Sequence, residues 1–205
     1  MALMGRLIED MGFSAMYVSG AAFSAGIVGM PDIGLFTLTE LVQQVRYLTA
    51  QIITPVIVDA DTGFGDTANV ERTIHELESA GAAAIQLEDQ ELPKRCGHLS
   101  GKSLVTTDAM CAKLRAAAGA RNDEATVIIA RTDARGVDDF DAAVNRARRY
   151  IEAGADWIFP EALANRDEFA AFAEAVDAPP MANMPAVGQS PLLTFAELGE
   201  MGYPV

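Results

Sequence analysis

The sequence predicts an α/β fold of parallel strands and, among such folds, a (β/α)8 barrel. Short, continuous apolar runs alternate with amphipathic segments of helical period, which is typical of strands covered on both faces by crossover helices. Polar side chains follow nearly every apolar run. A barrel carries its functional residues at the carboxyl ends of its strands, whereas a doubly wound sheet would concentrate them at one switch point.

A repeated junction marks each passage from helix to strand. An acidic helix end is followed by a glycine and then by a short apolar run, in residues 9–20 (EDMGFSAMYVSG), 78–89, 152–161 and 199–205. Glycine suits the left-handed position that ends a helix, and the residues after it are too apolar for an exposed loop. Each junction therefore predicts a helix end and then a buried strand.

Six strands are predicted, at residues 15–19, 56–61, 83–88, 127–131, 157–160 and 181–184. Helices are expected between them because apolar residues recur three and four positions apart. Three such helical faces are formed by Leu41, Val45 and Leu48, by Val70, Ile74 and Leu77, and by Phe140, Val144 and Ala147.

The 205 residues show no compositional break, so a single domain over residues 1–205 is expected. The chain opens with a helix that has no strand before it, and a last helix at 194–201 leads into a new strand at Pro204. About six strands of an eight-stranded barrel are therefore expected, with truncation at both ends. Whether such a chain closes its barrel, or survives as a non-catalytic fragment, stays open.

Composition excludes several classes of partner. The formal net charge is −14 and the 15 Lys and Arg residues are scattered, so no basic patch invites nucleic acid. No apolar run reaches the roughly 20 residues that span a bilayer, and the acidic N-terminal segment is unlike a signal peptide. Two cysteines without metal-site spacing fit a reducing compartment. A cytoplasmic protein without a membrane partner is expected.

A candidate metal site follows the second strand, in residues 58–65 (VDADTGFG). Residues two apart on a strand face the same side, so Asp59 and Asp61 should point together into the barrel mouth. Two such carboxylates repel unless a cation lies between them, and oxygen ligands favour Mg²⁺ or Mn²⁺. Glu88, at the end of the next strand, is a third candidate ligand. The alternative is that Asp59 and Asp61 only cap a helix or a turn.

Cys96 lies in a polar loop, residues 93–98 (PKRCGH). Three flanking side chains should make its thiol ionise more easily than a buried one: Lys94, Arg95 and His98. Cys96 is therefore a candidate acid, base or nucleophile, with an ordinary loop cysteine as the alternative. Cys111, by contrast, is expected to be core packing, and His75 to be exposed.

Further polar residues at strand ends suit an anionic substrate. Arg131 offers a bidentate fork for a carboxylate, although pairing with Glu161 for structure is equally open. Asn183 adds a neutral donor. The small residues after the first strand could hold an anionic group with free N–H groups: Ser19, Gly20 and Ala21.

Eight motifs resemble, in order, those of the isocitrate lyase and phosphoenolpyruvate mutase superfamily, especially its methylisocitrate lyase branch: YVSG, GMPDIG, VDADTGFG, QLEDQ, PKRCGH, IIARTDA, FPEA and ANM. The resemblance covers nearly the whole chain. It implies a (β/α)8 barrel that lacks its first strand and everything from the eighth strand onward. The C-terminal helices that family members exchange between subunits would be absent too. It also implies a homotetramer.

The same resemblance implies roles for individual residues. Asp59 and Asp61 match Mg²⁺ ligands with Glu88 close by, and Cys96 matches the catalytic cysteine of the lyases. The residues that match substrate contacts and positioning groups are Ser19, Gly20, Arg131, Glu161 and Asn183. Asp32 matches a metal-shell or active-site acid of some members. The sequence departs from many lyases at Ala21, where a second glycine is common, and at residues 185–191 (PAVGQSP), which leaves the substrate open.

The resemblance implies a Mg²⁺-dependent carbon–carbon lyase acting on a 2-hydroxy carboxylate, foremost 2-methylisocitrate, which gives pyruvate and succinate. Cys96 would protonate the departing carbanion, assisted by Lys94 and His98. Alternatives within the superfamily are a dimethylmalate lyase, an oxaloacetate decarboxylase and a phosphonate mutase. DADTG also resembles the motif of aspartyl-phosphate phosphatases, in which Asp59 would be the nucleophile, but that motif normally opens its domain.

Overall fold

A computed structural model describes residues 2–186 and 188–204, and its centre is a parallel sheet of five strands. The strands are β1 (Met16–Val18), β2 (Val56–Asp59), β3 (Ala84–Glu88), β4 (Val127–Thr132) and β5 (Trp157–Pro160). The α-helices are α1 (Ala2–Asp10), α2 (Gly20–Phe23), α3 (Leu38–Thr49), α4 (Thr67–Ser79), α5 (Thr107–Ala120), α6 (Ala134–Val137), α7 (Phe140–Glu152), α8 (Arg166–Ala175) and α9 (Phe195–Glu200). A π-helical turn, Ser24–Val28, follows α2.

The order of the strands in the sheet follows their order in the chain, β1-β2-β3-β4-β5, and each neighbouring pair is parallel. This order is that of a βα barrel and lacks the reversal of a doubly wound sheet. Within the described residues, β1 and β5 each pair with one strand, so the sheet is not closed. The predicted parallel α/β fold of barrel type is confirmed.

The sixth predicted strand, at residues 181–184, is wrong. The structure forms only an isolated parallel bridge between Ile158 and Pro180, with Met181 N–H donating to the Ile158 carbonyl at 2.8 Å. The next rung of this parallel ladder would need an N–H on Pro160, the last residue of β5, and proline has none, so the pairing stops there. The predicted strand at Pro204 is not formed either; its neighbour Val205 lies outside the described residues.

Side-chain caps fix where several of the helices begin. Thr37 and Glu40 form a reciprocal capping box at α3, and Thr194 and Glu197 form another at α9. The predicted apolar faces are confirmed, because all their residues are buried except Phe140, which is partly buried against the core. Cys111 is buried as expected and His75 is exposed. None of the helices in residues 2–186 and 188–204 is long and apolar enough to cross a membrane.

The sheet has a different core on each face. The larger cluster fills the space between the sheet and the helices. A smaller cluster occupies the opposite face near the start of the strands, and its members are Ile57, Ala84, Ile129, Phe159 and Met181. Because side chains alternate along a strand, the polar residues two and four positions further on lie on this same face. The inner face is thus apolar at its base and polar at the carboxyl ends.

Candidate active site

A cavity of about 300 Å³ opens at the carboxyl ends of the strands. It gathers most of the residues predicted from the sequence, which line it in this order along the chain: Ser19, Ala21, Asp32, Asp59, Lys94, Cys96, His98, Arg131, Glu161 and Asn183. The side chains of β1 to β5 reach it because parallel strands end at one edge. Cys96 is half-buried at this cavity. Gly20, Asp61 and Glu88 are buried close to the lining residues.

Asp59 is held in place by hydrogen bonds from three neighbours. Its Oδ2 accepts from Gly20 N–H at 3.0 Å, and its Oδ1 accepts from Asp61 N–H at 3.2 Å and from Gln86 Nε2 at 3.3 Å. Gln86 is held in turn by the Tyr17 hydroxyl at 2.9 Å. The expectation of a free N–H at Gly20 is therefore wrong, because the nearest anion is the protein's own carboxylate.

Ser19 begins α2 as its N-cap, and its Oγ accepts from Ala22 N–H at 3.3 Å. This bond uses an oxygen lone pair and leaves the hydroxyl hydrogen free to donate. Ser19 also lines the cavity. It thus keeps one donor for a ligand.

Asp61 comes close to Asp59 by a route that alternation did not predict. β2 ends at Asp59, and Asp61 adopts a left-handed backbone with φ of 46° in the turn that follows. A Cβ added at Gly20 would meet Asp61 Oδ1 at 2.9 Å and Asp59 Oδ2 at 3.1 Å. Both carboxylates thus face one small space, which glycine at position 20 keeps open.

Lys94 supplies the cation in this region. Its Nζ lies 2.5 Å from Asp32 Oδ1 and 2.9 Å from Asp61 Oδ1, and its side chain is 3% exposed. Burial works against its charge, but the carboxylates of Glu88, Asp61, Asp59 and Asp32 outweigh burial and raise the pKa of Lys94 above its ordinary value. The loop that carries Cys96 is therefore tied electrostatically to the turn after β2.

The carboxylates themselves are short of positive charge. Burial and the neighbouring Asp59 raise the pKa of Asp61 to about 7, against the opposing effect of Lys94. Burial likewise raises the pKa of Glu88 well above its ordinary value, although Arg131 and Lys94 oppose this. Neither oxygen of Glu88 has a hydrogen bond within the described residues, nor does Asp61 Oδ2. Such orphaned acceptors suit a bound cation.

The carboxylate oxygens of Asp59, Asp61 and Glu88 are the candidate ligands for a divalent metal. Among residues 2–186 and 188–204, no three His, Cys, Asp or Glu side chains converge closely enough to hold an ion by themselves. Asp59, Asp61 and Glu88 therefore do not form a complete cage. Mg²⁺ commonly takes one or two carboxylates and keeps several waters, so the adjacent oxygens of Asp59 and Asp61 fit it. The ligand assignment stays a prediction.

Arg131 is buried among carboxylates. Its Nε and Nη2 donate to the two oxygens of Asp133 at 3.0 and 3.1 Å, and its Nη1 lies 3.2 Å from Glu161 Oε2. Its guanidinium also stands over the Phe159 ring, 5.2 Å from the centroid. The structural pairing with Glu161 that the sequence left open is thus present. Since Nε and Nη2 of Arg131 are committed to Asp133, Nη1 keeps a second N–H that it could donate to a ligand in the cavity.

Glu161 connects Arg131 to the Cys96 loop through His98. His98 Nε2 lies 2.8 Å from Glu161 Oε1, in contact although the angle is not that of a full hydrogen bond. Gln189 N–H donates to His98 Nδ1 at 3.1 Å, which assigns the proton of the neutral ring to Nε2. Asn183 Nδ2 also reaches Glu161 Oε2, at 3.4 Å. Burial opposes ionisation of Glu161, but Arg131 and His98 outweigh it and lower its pKa.

Five residues that hold the site were not predicted: Tyr17, Gln86, Gln90, Lys102 and Asp133. Tyr17 and Gln86 lie two residues before Ser19 and Glu88, so strand alternation could have placed them on the inner face. Asp133 lies two residues after Arg131 and carries the same signal. Gln90 and Lys102 act through contacts with the loop, for which a sequence offers no period.

Comparison with known proteins identifies the family. The chain matches the phosphoenolpyruvate phosphomutase family over residues 2–205. The chain belongs to this family. A relative named 2-methylisocitrate lyase, from Aeropyrum pernix, is 56% identical over 199 residues, which are 97% of this chain and 64% of the relative. The predicted resemblance is therefore confirmed, and the chain spans about two thirds of the length of the curated relatives it matches.

Further relatives and solved structures are similar to this chain over nearly its whole length. A 2,3-dimethylmalate lyase from Eubacterium barkeri is 44% identical over 98% of this chain and 70% of its own length. The crystal structure of a 2,3-dimethylmalate lyase superposes with a TM-score of 0.95 at 37% identity, over 98% of this chain and 68% of that one. A phosphonopyruvate hydrolase solved with oxalate and Mg²⁺ gives a TM-score of 0.85 at 30% identity, covering 98% and 69%.

Proposed function

We propose that this chain carries the active site of a Mg²⁺-dependent carbon–carbon lyase that cleaves a 2-hydroxy carboxylate, most specifically 2-methylisocitrate to pyruvate and succinate. One observation carries the proposal: a single cavity brings the Cys96 thiol together with the Asp59 carboxylate and the Arg131 guanidinium. The choice of substrate is supported by the relative named 2-methylisocitrate lyase, at 56% identity.

Asp59 and Asp61 would hold Mg²⁺, with Glu88 close enough to act through a water, and Mn²⁺ could take the same oxygens. When bound, the ion supplies counter-charge for the substrate oxygens that become more negative during cleavage. The hydrogen bonds from Gly20, Asp61 and Gln86 hold Asp59 in one orientation, so little reorganisation accompanies binding.

The carboxylates of the substrate would be bound by donors on the cavity wall, namely Arg131 Nη1, Asn183 Nδ2 and the Ser19 hydroxyl. Glu161 positions two of these donors through its own contacts. Ala21 faces the same cavity with a methyl group. The polar wall thus fits an anion of several carboxylates.

Cys96 is the proposed acid. When the carbon–carbon bond breaks, its electron pair stays on the carbon of the succinate fragment, and Cys96 Sγ–H donates the proton that neutralises it. The O–H proton of the substrate's 2-hydroxyl passes to solvent as its oxygen forms the new C=O bond, so the other fragment leaves as the 2-oxo acid pyruvate. The Cys96 thiolate regains its proton from solvent. Lys94 and His98 keep their proposed roles beside the thiol, Lys94 by its charge and His98 by fixing the loop against Glu161.

Pyruvate release from 2-methylisocitrate tests this proposal, with Mg²⁺ and with excess chelator. Cys96→Ser is expected to lose about 100-fold or more in kcat, the contribution of a general acid, while titration calorimetry shows unchanged Mg²⁺ binding. Cys111→Ala is the matched control, because that thiol is buried away from the cavity. Unchanged turnover in Cys96→Ser, or no Mg²⁺-dependent pyruvate from the folded chain, would overturn the proposal.

A second substrate is favoured by a specific observation: relatives named 2,3-dimethylmalate lyase match this chain at 44% identity in sequence and at a TM-score of 0.95 in structure. Both substrates are 2-hydroxy carboxylates, and cleavage of either one releases a 2-oxo acid. Values of kcat/KM for 2-methylisocitrate and 2,3-dimethylmalate, measured in parallel with isocitrate as a third substrate, decide between them. We also propose a single barrel-type domain that assembles as a homotetramer, which light scattering tests.

A further inference from the structure

The loop between β3 and α5 carries Cys96 without helix or strand of its own at the cysteine. Its backbone is nevertheless fixed immediately before Cys96. Gln90 Oε1 accepts from Arg95 N–H at 2.9 Å, and Gln90 Nε2 donates to the Arg95 carbonyl at 2.8 Å. One side-chain amide therefore satisfies both backbone polar groups of the residue that precedes the thiol.

The backbone is also fixed immediately after Cys96. Lys102 Nζ donates to the Gly97 carbonyl and lies 2.9 Å from Asp133 Oδ1. The side chains of Lys102 and Asp133 are 1% and 0% exposed. Burying an ammonium is costly unless it is paired and hydrogen-bonded, so this contact is a built feature of the loop and no accident of a surface lysine.

Both contacts converge on Asp133. Gln90 Nε2 lies 3.3 Å from Asp133 Oδ2, and Lys102 holds the other oxygen of the same carboxylate. The backbone N–H of Asp133 donates to Asp89 Oδ1 at 2.9 Å, which ties it to the end of β3. Burial opposes ionisation of Asp133, but Arg131 and Lys102 outweigh it and hold its pKa below the ordinary value. Asp133 is thus a charged anchor fixed to the sheet.

The Gly97 backbone shows how closely this arrangement seats the loop. A Cβ at Gly97 would collide with Arg131 Nη2 and with the Glu161 carboxylate. The tip of the loop, at Leu99 and Ser100, is exposed instead. Contact is therefore concentrated at the residues on either side of Cys96.

We propose that Gln90, Lys102 and Asp133 form a positioning clamp that fixes the backbone on both sides of Cys96 and so aims its thiol into the cavity. The clamp acts through the loop and does not itself touch the substrate. The role assigned to the thiol rests on the proposed lyase function, whereas the clamp can be measured without any turnover.

The test uses the full chain with Cys111→Ala, so that Cys96 is the one remaining thiol. Lys102→Met keeps most of the length of the side chain and removes the ammonium. Gln90→Leu removes both hydrogen bonds between the side-chain amide and the Arg95 backbone. Each is expected to raise the rate of Cys96 alkylation by iodoacetamide about fivefold or more. Each should also raise trypsin cleavage after Lys94 and Arg95 by about tenfold, because a released loop exposes these sites.

Lys113→Met is the matched control. Lys113 is also a buried lysine that donates to a backbone carbonyl, that of Thr62 at 2.9 Å, and among the described residues it makes no hydrogen bond or ion pair with the Cys96 loop. It should lower thermal stability as Lys102→Met does and leave alkylation and loop cleavage within twofold of the parent. Where turnover is measured, Lys102→Met should lower kcat by at least tenfold with KM within threefold.

Two results would overturn the clamp. One is alkylation and trypsin cleavage in Lys102→Met and Gln90→Leu that match the parent chain. The other is loss of cooperative melting in both variants, since the contacts would then hold the whole fold. Absence of lyase activity in the parent would count against the proposed function alone, because both loop measurements would still give a result.

Discussion

Lys94 and Asp61 form a buried ion pair, with 2.9 Å between Nζ and Oδ1. The ammonium thus neutralises a carboxylate that a divalent ion is proposed to use. Lys94→Met is therefore expected to tighten Mg²⁺ binding by about tenfold, which corresponds to about 1.4 kcal/mol, since the ion no longer competes with the protein's own cation. Titration calorimetry on the substrate-free chain measures the effect.

Arg95→Met is the control for Lys94→Met. It removes one positive charge from the neighbouring position, where the side chain is exposed and makes no ion pair within the described residues. Its Mg²⁺ affinity should change by less than twofold because exposed charges are screened. Weaker binding in Lys94→Met than in the parent would refute competition between the ammonium and the ion.

Gly97→Ala should impair turnover far more than stability. The added methyl group would collide with Arg131 and Glu161, so the Cys96 loop has to lift by a fraction of an ångström or more. Misplacement on this scale costs about 100-fold in kcat/KM. Steady-state kinetics and a thermal melt measure the two effects side by side.

Gly119→Ala is the control for Gly97→Ala. Gly119 lies within α5, and a Cβ there meets no atom within 4 Å. Alanine should stabilise the helix by about 0.5–1 kcal/mol and leave kcat/KM unchanged. Equal kcat/KM in Gly97→Ala and the parent would show that the loop does not need its close approach to Arg131.

Glu78 lies at the end of the sheet opposite the cavity, and its carboxylate makes the stability of the fold depend on pH. Its carboxylate accepts the backbone N–H groups of Asn122 and Asp123 and the Thr126 hydroxyl. Burial opposes ionisation, but these bonds outweigh it and lower the pKa of Glu78 to about 2. Because the folded pKa lies below the ordinary value of 4.5, the stabilisation is complete above about pH 4.5 and is lost as the pH falls toward 2.

Glu78→Gln is therefore expected to lower Tm at pH 7 by about 2–4 °C, the shift produced by about 1 kcal/mol in a domain of this size. The difference from the parent should shrink between pH 4.5 and 2.5, and calorimetry across this range measures it. Glu71→Gln, on an exposed position of the same helix, should follow the parent throughout. A difference that grows as the pH falls would contradict the assignment.

The strands were predictable where an apolar run coincides with uninterrupted pairing. The run at 157–160 became β5 without change, and that at 83–88 became β3 with one residue fewer. The run at 181–184 failed because a hydrophobic pattern does not count N–H donors, and the neighbouring strand β5 ends at Pro160, which has none. Asp61 was predicted to lie in β2 because the residue pattern does not show where the backbone turns. In the structure β2 ends at Asp59, and Asp61 has a left-handed backbone in the turn that follows.

The candidate site was predictable where it is built by strand ends, and less so where a loop folds back. Asp59, Glu88 and Arg131 follow from alternation, because each lies on the inner face at the last or next-to-last position of its strand. The pairing of Lys102 with Asp133 joins residues 31 positions apart, and Lys102 lies in a loop whose sequence has no periodicity. Such a contact depends on the three-dimensional path of the chain, which local patterns do not encode.

The unequal anchoring of the Cys96 loop has an evolutionary consequence. Its fixed points lie beside the thiol, while Leu99 and Ser100 at the tip face outward and make few demands on the fold. Substitutions at Leu99 and Ser100 are therefore expected to accumulate without displacing Cys96, because the backbone on either side of the thiol is held by contacts that the tip does not make.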